Sequence, residues 1–170
     1  MQRNNTDWGF TMKNKGTPFV LGWTKSEPDL ESAKGVRISA LAEIHEGDYK
    51  GILAGGVYAG TWGDDNSHPS TGNLEGLCLG AVTHISQNLR GVSVGAVNLV
   101  GEELDGVSVG IANQADVNGA LAVQIGLYNK IEKNWPLGTV VQIGLYNRIG
   151  EQTIPLLNMR GLINWYRGVK

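Results

Sequence analysis

The sequence predicts an all-β protein assembled from one short repeat. Three observations predict it: about seven copies of a glycine-punctuated unit, strict alternation of side-chain type within each copy, and no sustained helical period. Gly accounts for 25 of 170 residues and Pro for 5, a turn-rich composition with little of the proline that marks disordered linkers.

The chain opens with a segment that does not repeat, residues 1–34. It contains TPFVLGW, which reads as a strand, and the polar stretch SEPDLESAK, which reads as a loop or short helix. A repeat array needs its first open edge covered, so this segment is expected to be an N-terminal cap. The repeat domain is expected over 35–170. Two loose units come first, GVRISALAEIHEGDYK from Gly35 and GILAGGVYAGTWGDD from Gly51. An insertion, residues 61–75, then lengthens one unit. Five clear units follow, starting at Gly76, Gly91, Gly106, Val123 and Val141; their internal glycines are Gly80, Gly95, Gly110, Gly126 and Gly144. LLNMRGLINWY closes the chain as a partial unit.

Alternation splits each unit into two faces. Val92, Val94, Ala96 and Val100 lie on one, with Val107, Val109 and Ile111, then Val123, Ile125, Leu127 and Ile131, in later copies. Ser93 and Gly95, or Gln124, Gly126 and Tyr128, lie on the other. Branched residues on one side of a period-two pattern read as the buried face of a strand. Asn98, Asn113, Asn129 and Asn147 recur at one place in four units. Asn is a poor strand residue that tolerates the left-handed conformation, so it is expected to mark a corner.

Two architectures fit this unit. In a β-solenoid each unit is one turn, with Asn and Gly at corners and equivalent residues stacked. In an up-and-down meander or barrel each unit is one strand and its turn. A strand of nine residues runs roughly 30 Å, and six residues return at most about 20 Å. A solenoid therefore needs the strand to bend, and the Asn supplies a place. The solenoid is the preferred reading.

Charge and composition narrow the function classes. The net charge is −2 with both signs scattered, which argues against a nucleic-acid footprint. Cys78 is the only cysteine, so no intrachain disulfide forms. The first residues, MQRNNTDWGF, lack the apolar core of a signal peptide. No apolar run is long enough for a membrane helix, a test that does not bear on a membrane β-barrel.

Catalytic, metal and cofactor constellations are not expected. Asp64, Asp65 and His68 form the most polar cluster of the insertion, without the alternating oxygen ligands of a calcium loop. His45 and His84 have no Ser, Cys or Asp placed to complete a catalytic set. The candidate binding residues are Gln124, Tyr128 and Lys130 with their equivalents Gln142, Tyr146 and Arg148. Stacked in register, they would make an outward Gln/Tyr/basic patch suited to a glycan, an anionic group or a protein partner. The glycine column from Gly80 to Gly144 leaves room for close approach by a sheet, a ligand or a second chain in an oligomer.

The segments GVSVGAVN, GVSVGIAN and the two VQIGLYN copies resemble the Gly-(Leu/Val)-Gln-(Leu/Ile)-Gly-Leu-(Val/Ile)-Asn repeats of bacterial surface-repeat-containing proteins. The resemblance covers roughly residues 76–150, and 35–60 more weakly. It implies a bacterial, exported or cell-surface protein and carries over no active or binding residue. The expected function is a non-enzymatic scaffold presenting an interaction surface. The alternatives are a small outer-membrane-type barrel, with Val/Ile towards lipid, and a hexapeptide-like acyltransferase. An ice-binding array would want regular Thr columns that this sequence lacks.

Overall fold

The computed structural model describes residues 19–24, 32–63, 72–133 and 138–161. They form a β-solenoid of about six turns, which rules out the meander and the barrel. Each turn supplies a longer strand, a two-residue corner and a shorter strand, then returns to the next level.

The longer strands stack in one parallel ladder. It runs from β2 (Ser32–Glu46) through β3 (Asp48–Gly55), β5 (Leu74–Leu79), β7 (Leu89–Val94), β8 (Val97–Val109) and β9 (Ala112–Ile125) to β11 (Thr139–Gly144). The shorter strands make a second parallel ladder. It runs from the end of β2 through β4 (Tyr58–Trp62), β6 (Val82–Ile85), β8 and β9 to β10 (Tyr128–Lys133) and β12 (Tyr146–Ile149). Strands β8 and β9 serve both ladders: each begins as the short strand of one turn and ends as the long strand of the next.

Both ends depart from the repeat. β1 (Phe19–Thr24) adds a parallel strand at the edge of β2, and the rest of residues 1–31 lies outside the described residues. The closing unit does not start another turn. β14 (Leu156–Arg160) reverses and pairs antiparallel with β11, as β13 (Gln152–Thr153) does with β12. The final residues of LLNMRGLINWY, from 162, are outside the described set, as is most of the insertion.

The period-two pattern does not run through a corner, and this corrects the expected facing. Ser93, Ser108, Gln124 and Gln142 point inward and are fully or almost fully buried. Val94, Ile125 and Ile143, one residue on, point outward at 39, 40 and 46% exposure. The phase then flips at Gly95–Ala96, so Asn98 and Val100 are both interior. Val100 thus shares a face with Ser93, not with Val92 and Val94.

The corner residues are Gly95–Ala96, Gly110–Ile111, Gly126–Leu127 and Gly144–Leu145. The asparagines lie two residues beyond the bend, inside a strand, and none takes a left-handed conformation. Among the described residues, Leu156 alone of the non-glycines has positive φ. Asn98 instead holds the corner from within. Its Nδ2 donates to Val109 O in the next turn at 2.9 Å and to Gly95 O in its own at 3.4 Å. A Cβ at Gly110 would fall on the Gly95 carbonyl and 2.6 Å from Asn98 Nδ2. The close approach permitted by the glycine column is therefore made by the neighbouring turn.

The interior has apolar and polar columns side by side. Leu74, Leu89 and Leu104 stack along one, and Ile85, Val100, Ala115, Ile131 and Ile149 along another. Between them run two hydrogen-bonded ladders. Thr83 Oγ1 donates to Asn98 Oδ1 at 2.6 Å, and the amides continue Asn98 to Asn113, Asn113 to Asn129 and Asn129 to Asn147 at 2.7, 2.7 and 2.8 Å. In the other, Ser93 and Ser108 share a hydrogen bond at 2.8 Å, and Gln142 Nε2 donates to Gln124 Oε1 at 2.7 Å. Identical amides repeated at the strand spacing bond to one another, which offsets much of the cost of burying them; Gln142 Oε1, at the end of its ladder, is left without a partner.

Candidate functional site

The outer face of the short-strand ladder carries the exposed aromatic side chains Trp62, Tyr128 and Tyr146. Residues alternate inward and outward along each short strand, so Tyr128 is exposed, Lys130 keeps 18% of its side chain exposed, and Asn129 faces in. Parallel in-register pairing sets Tyr146 over Tyr128 and Arg148 over Lys130. The two phenol rings stack with centroids 4.9 Å apart and planes 3° from parallel. They remain 38 and 37% exposed. One level earlier the column holds Ala112, so no aromatic ring continues the stack on that side.

The basic pair is partly engaged. Lys130 Nζ makes an ion pair with Glu132, and Arg148 Nε donates to Gly150 O at 2.7 Å. The column before them is Leu99 and Gln114.

Gln124 and Gln142 do not belong to this patch, contrary to the outward placement expected for them. Both are fully buried, and their amides also donate to the carbonyls of Lys130 and Arg148 at 3.2 and 3.0 Å. They brace the patch from beneath by tying the long strand to the short one. Asp64, Asp65 and His68 lie outside the described residues.

A second aromatic cluster sits at the other end of the same face. Tyr58 occupies the column of Tyr128 and Tyr146. Its hydroxyl lies 3.0 Å from His84 Nδ1, and His84 packs edge-to-face on Trp62 with centroids 5.4 Å apart. Burial lowers the His84 pKa and raises that of Tyr58. Trp62 is 48% exposed. Aligning GGVYAG with IGLYNK places Tyr58 at the Tyr128 position, a signal that the looser match of the early units obscured.

His45 is interior. Its Nδ1 accepts from Arg37 Nη1 at 3.1 Å and its Nε2 donates to Asp48 O at 3.1 Å, which fixes the neutral tautomer with the proton on Nε2. Arg37 Nε lies 3.0 Å from Glu43 Oε1, and Tyr49 packs edge-to-face on His45. Glu43 stands in the column that becomes Thr83 and the asparagines, and Arg37 in the column that becomes Cys78 and the serines. Ala59 separates Glu43 from Thr83 and Leu53 separates Arg37 from Cys78, so neither hydrogen-bonded ladder reaches the first turn.

A cleft of about 530 Å³ lies over the return turns, lined by Lys34, Asp48, Lys50, Asn73, Asn88 and Arg90 among others. Its charges are largely paired: Lys50 with Glu75 at 2.6 Å and Arg90 with Asp105 at 3.7 Å. Among the described residues no group of three His, Cys, Asp or Glu side chains is placed to hold a metal ion. No family model matches the chain, and no curated protein or solved structure matches it.

Proposed function

We propose that the protein is a non-enzymatic binding scaffold whose short-strand face takes an extended glycan carrying anionic groups. The observation that carries this reading is the exposed Tyr128–Tyr146 stack with Lys130 and Arg148 beside it. Aromatic rings presented at a rigid surface stack on sugar rings at low entropic cost, and adjacent cations suit carboxylate, sulfate or phosphate substituents. Tyr58, Trp62 and His84 offer a second contact on the same face. Tyr58 lies four levels from Tyr128, or about 19 Å at the strand spacing, so a chain of several sugars running along the solenoid axis would touch both.

The paired tautomer and burial of His45, and the Tyr58 partner of His84, favour binding over acid–base chemistry. The resemblance to bacterial surface-repeat proteins is consistent with exposure to glycans at a cell surface. The test is binding to a panel of acidic and neutral oligosaccharides. Acidic glycans are expected to bind, and Tyr128→Ala and Tyr146→Ala each to weaken binding at least tenfold with the fold intact. Lys130→Gln is expected to reduce the salt dependence. Failure of every glycan to bind, or unchanged affinity in the tyrosine variants, would overturn the proposal.

A further inference from the structure

The outer face of the long-strand ladder is apolar from end to end. Three columns run up it. One begins Val36, Ile52, the next Ile38, Ala54, and the third, at the corner, Leu41, Val57. Following the register through every turn to Val141, Ile143 and Leu145 meets only Val, Ile, Leu and Ala. β14 extends the same surface past the last turn, placing Leu157 beside Ile143 and Met159 beside Val141, at 51 and 41% exposure. Along one side runs a rim of mixed charge, Lys34, Lys50, Glu75, Arg90 and Asp105, in which Lys50 pairs with Glu75 and Arg90 with Asp105.

We infer that this face is the interface through which two copies of the chain associate, long-strand ladder against long-strand ladder. Its extent fits: about six turns at the strand spacing, and three columns two residues apart, cover a flat footprint of about 600 Å². The accessible area of a corrugated surface exceeds its footprint. That approaches the ~800 Å² per partner of a standard interface and stands at the upper end of the apolar patch a monomer commonly leaves exposed, about 300–600 Å².

The periodicity selects the occupant. The ridges repeat at the spacing of hydrogen-bonded strands, and a second copy presents the same ridges at the same spacing. Two such faces interdigitate as the sheets of a β-sandwich do. A membrane surface is disfavoured by the rim, where Glu75 and Asp105 interrupt Lys34, Lys50 and Arg90 and pair with two of them; interfacial binders carry a strong excess of Lys and Arg there. This inference concerns the long-strand face and stands independently of glycan binding on the other.

Sedimentation equilibrium on the full chain tests it. Wild type is expected near 36.4 kDa, twice the 18.2 kDa of one chain. Ile125→Lys and Val94→Lys place a charge on side chains that are 40 and 39% exposed in the single chain. They are expected to keep the β circular-dichroism spectrum and a cooperative thermal transition, and to weaken self-association at least a hundredfold. A wild type that stays monomeric to about 100 μM would overturn the inference, as would lysine variants that remain dimeric. So would a monomer that co-sediments with phosphatidylcholine/phosphatidylglycerol vesicles and loses that binding in the same variants, since lipid would then be the occupant.

Discussion

Asn98 Nδ2 donates to Asn113 Oδ1 one turn further on, at 2.7 Å, in an interior from which Val94, Ile111 and Ile125 are turned out. Asn113 passes the bond on to Asn129, also at 2.7 Å, and donates to Ile125 O at 3.1 Å. This side-chain ladder runs parallel to the backbone ladders and fastens each corner to the next.

Asn113→Val should therefore be severely destabilising. It leaves the Asn98 amide and the Asn129 carbonyl oxygen short of a buried partner, each costing about 1–3 kcal/mol. A loss of about 3 kcal/mol in urea unfolding is expected. Gln114→Val, on the outward side of the same strand, should change stability by less than about 1 kcal/mol. Equal effects at the two positions would contradict the ladder.

Two glycine substitutions should separate steric from conformational cost. Gly110→Ala drives a methyl into the Gly95 carbonyl and the Asn98 amide and should cost more than about 3 kcal/mol. At Gly150 the nearest heavy atom to an added Cβ is 3.8 Å away, but φ is +58°. Gly150→Ala should cost only the left-handed penalty, about 1 kcal/mol. Thermal unfolding of both variants measures the contrast.

The first turn should give the protein a specific pH response. Burial pushes the Glu43 carboxyl up from 4.5 to about 7, against the pull of Arg37. A raised folded-state pKa means stability that is complete below pH 4.5 and lost as the pH rises through about 7. The loss amounts to about 3 kcal/mol. His45 acts oppositely. Burial, then Arg37, lowers its pKa, so its contribution is present above 6.5 and lost as the pH falls below that. Glu43→Gln removes the first contribution and keeps the second. The stability of wild type relative to this variant should fall by about 3 kcal/mol between pH 4.5 and 8; a difference independent of pH would contradict the assignment.

Cys78 should be inert in the native protein. It is fully buried, and burial pushes its thiol up to about 12, so little thiolate exists to react. Ser93 and Ser108 hold the same column, so Cys78→Ser should change stability by no more than about 1 kcal/mol. Thiol titration before and after unfolding, with denaturant curves, checks both points.

The repeat, its strands and the solenoid were legible because Gly and Asn recur at one phase in units of nearly constant length. The facing of the strands was not. Alternation says that Ser93 and Val94 lie on opposite sides, but not which side is in. The habit of placing branched apolar residues inside chose wrongly, because a two-residue corner resets the phase between Ala96 and Asn98. A turn this short also has a narrow interior, which small side chains and mutually bonded amides fill. Ser93, Gln124 and Asn98 repeating at fixed positions were the sign of a ladder. Tyr128 and Tyr146, and Lys130 and Arg148, come into register because each pair flanks an inward asparagine at period two. Gln124 and Gln142 were misplaced because they lie on the far side of the corner.

Ser93 faces in, and the outward face of the short strands begins beyond the corner. Native-state thiol labelling tests it most directly, with single cysteines introduced by Ser93→Cys or Leu99→Cys into a Cys78→Ser background. Leu99 is 37% exposed and Ser93 fully buried. Leu99→Cys is expected to label within minutes in the folded protein and Ser93→Cys to label only on unfolding. Rapid labelling of Ser93→Cys with protection of Leu99→Cys would contradict it.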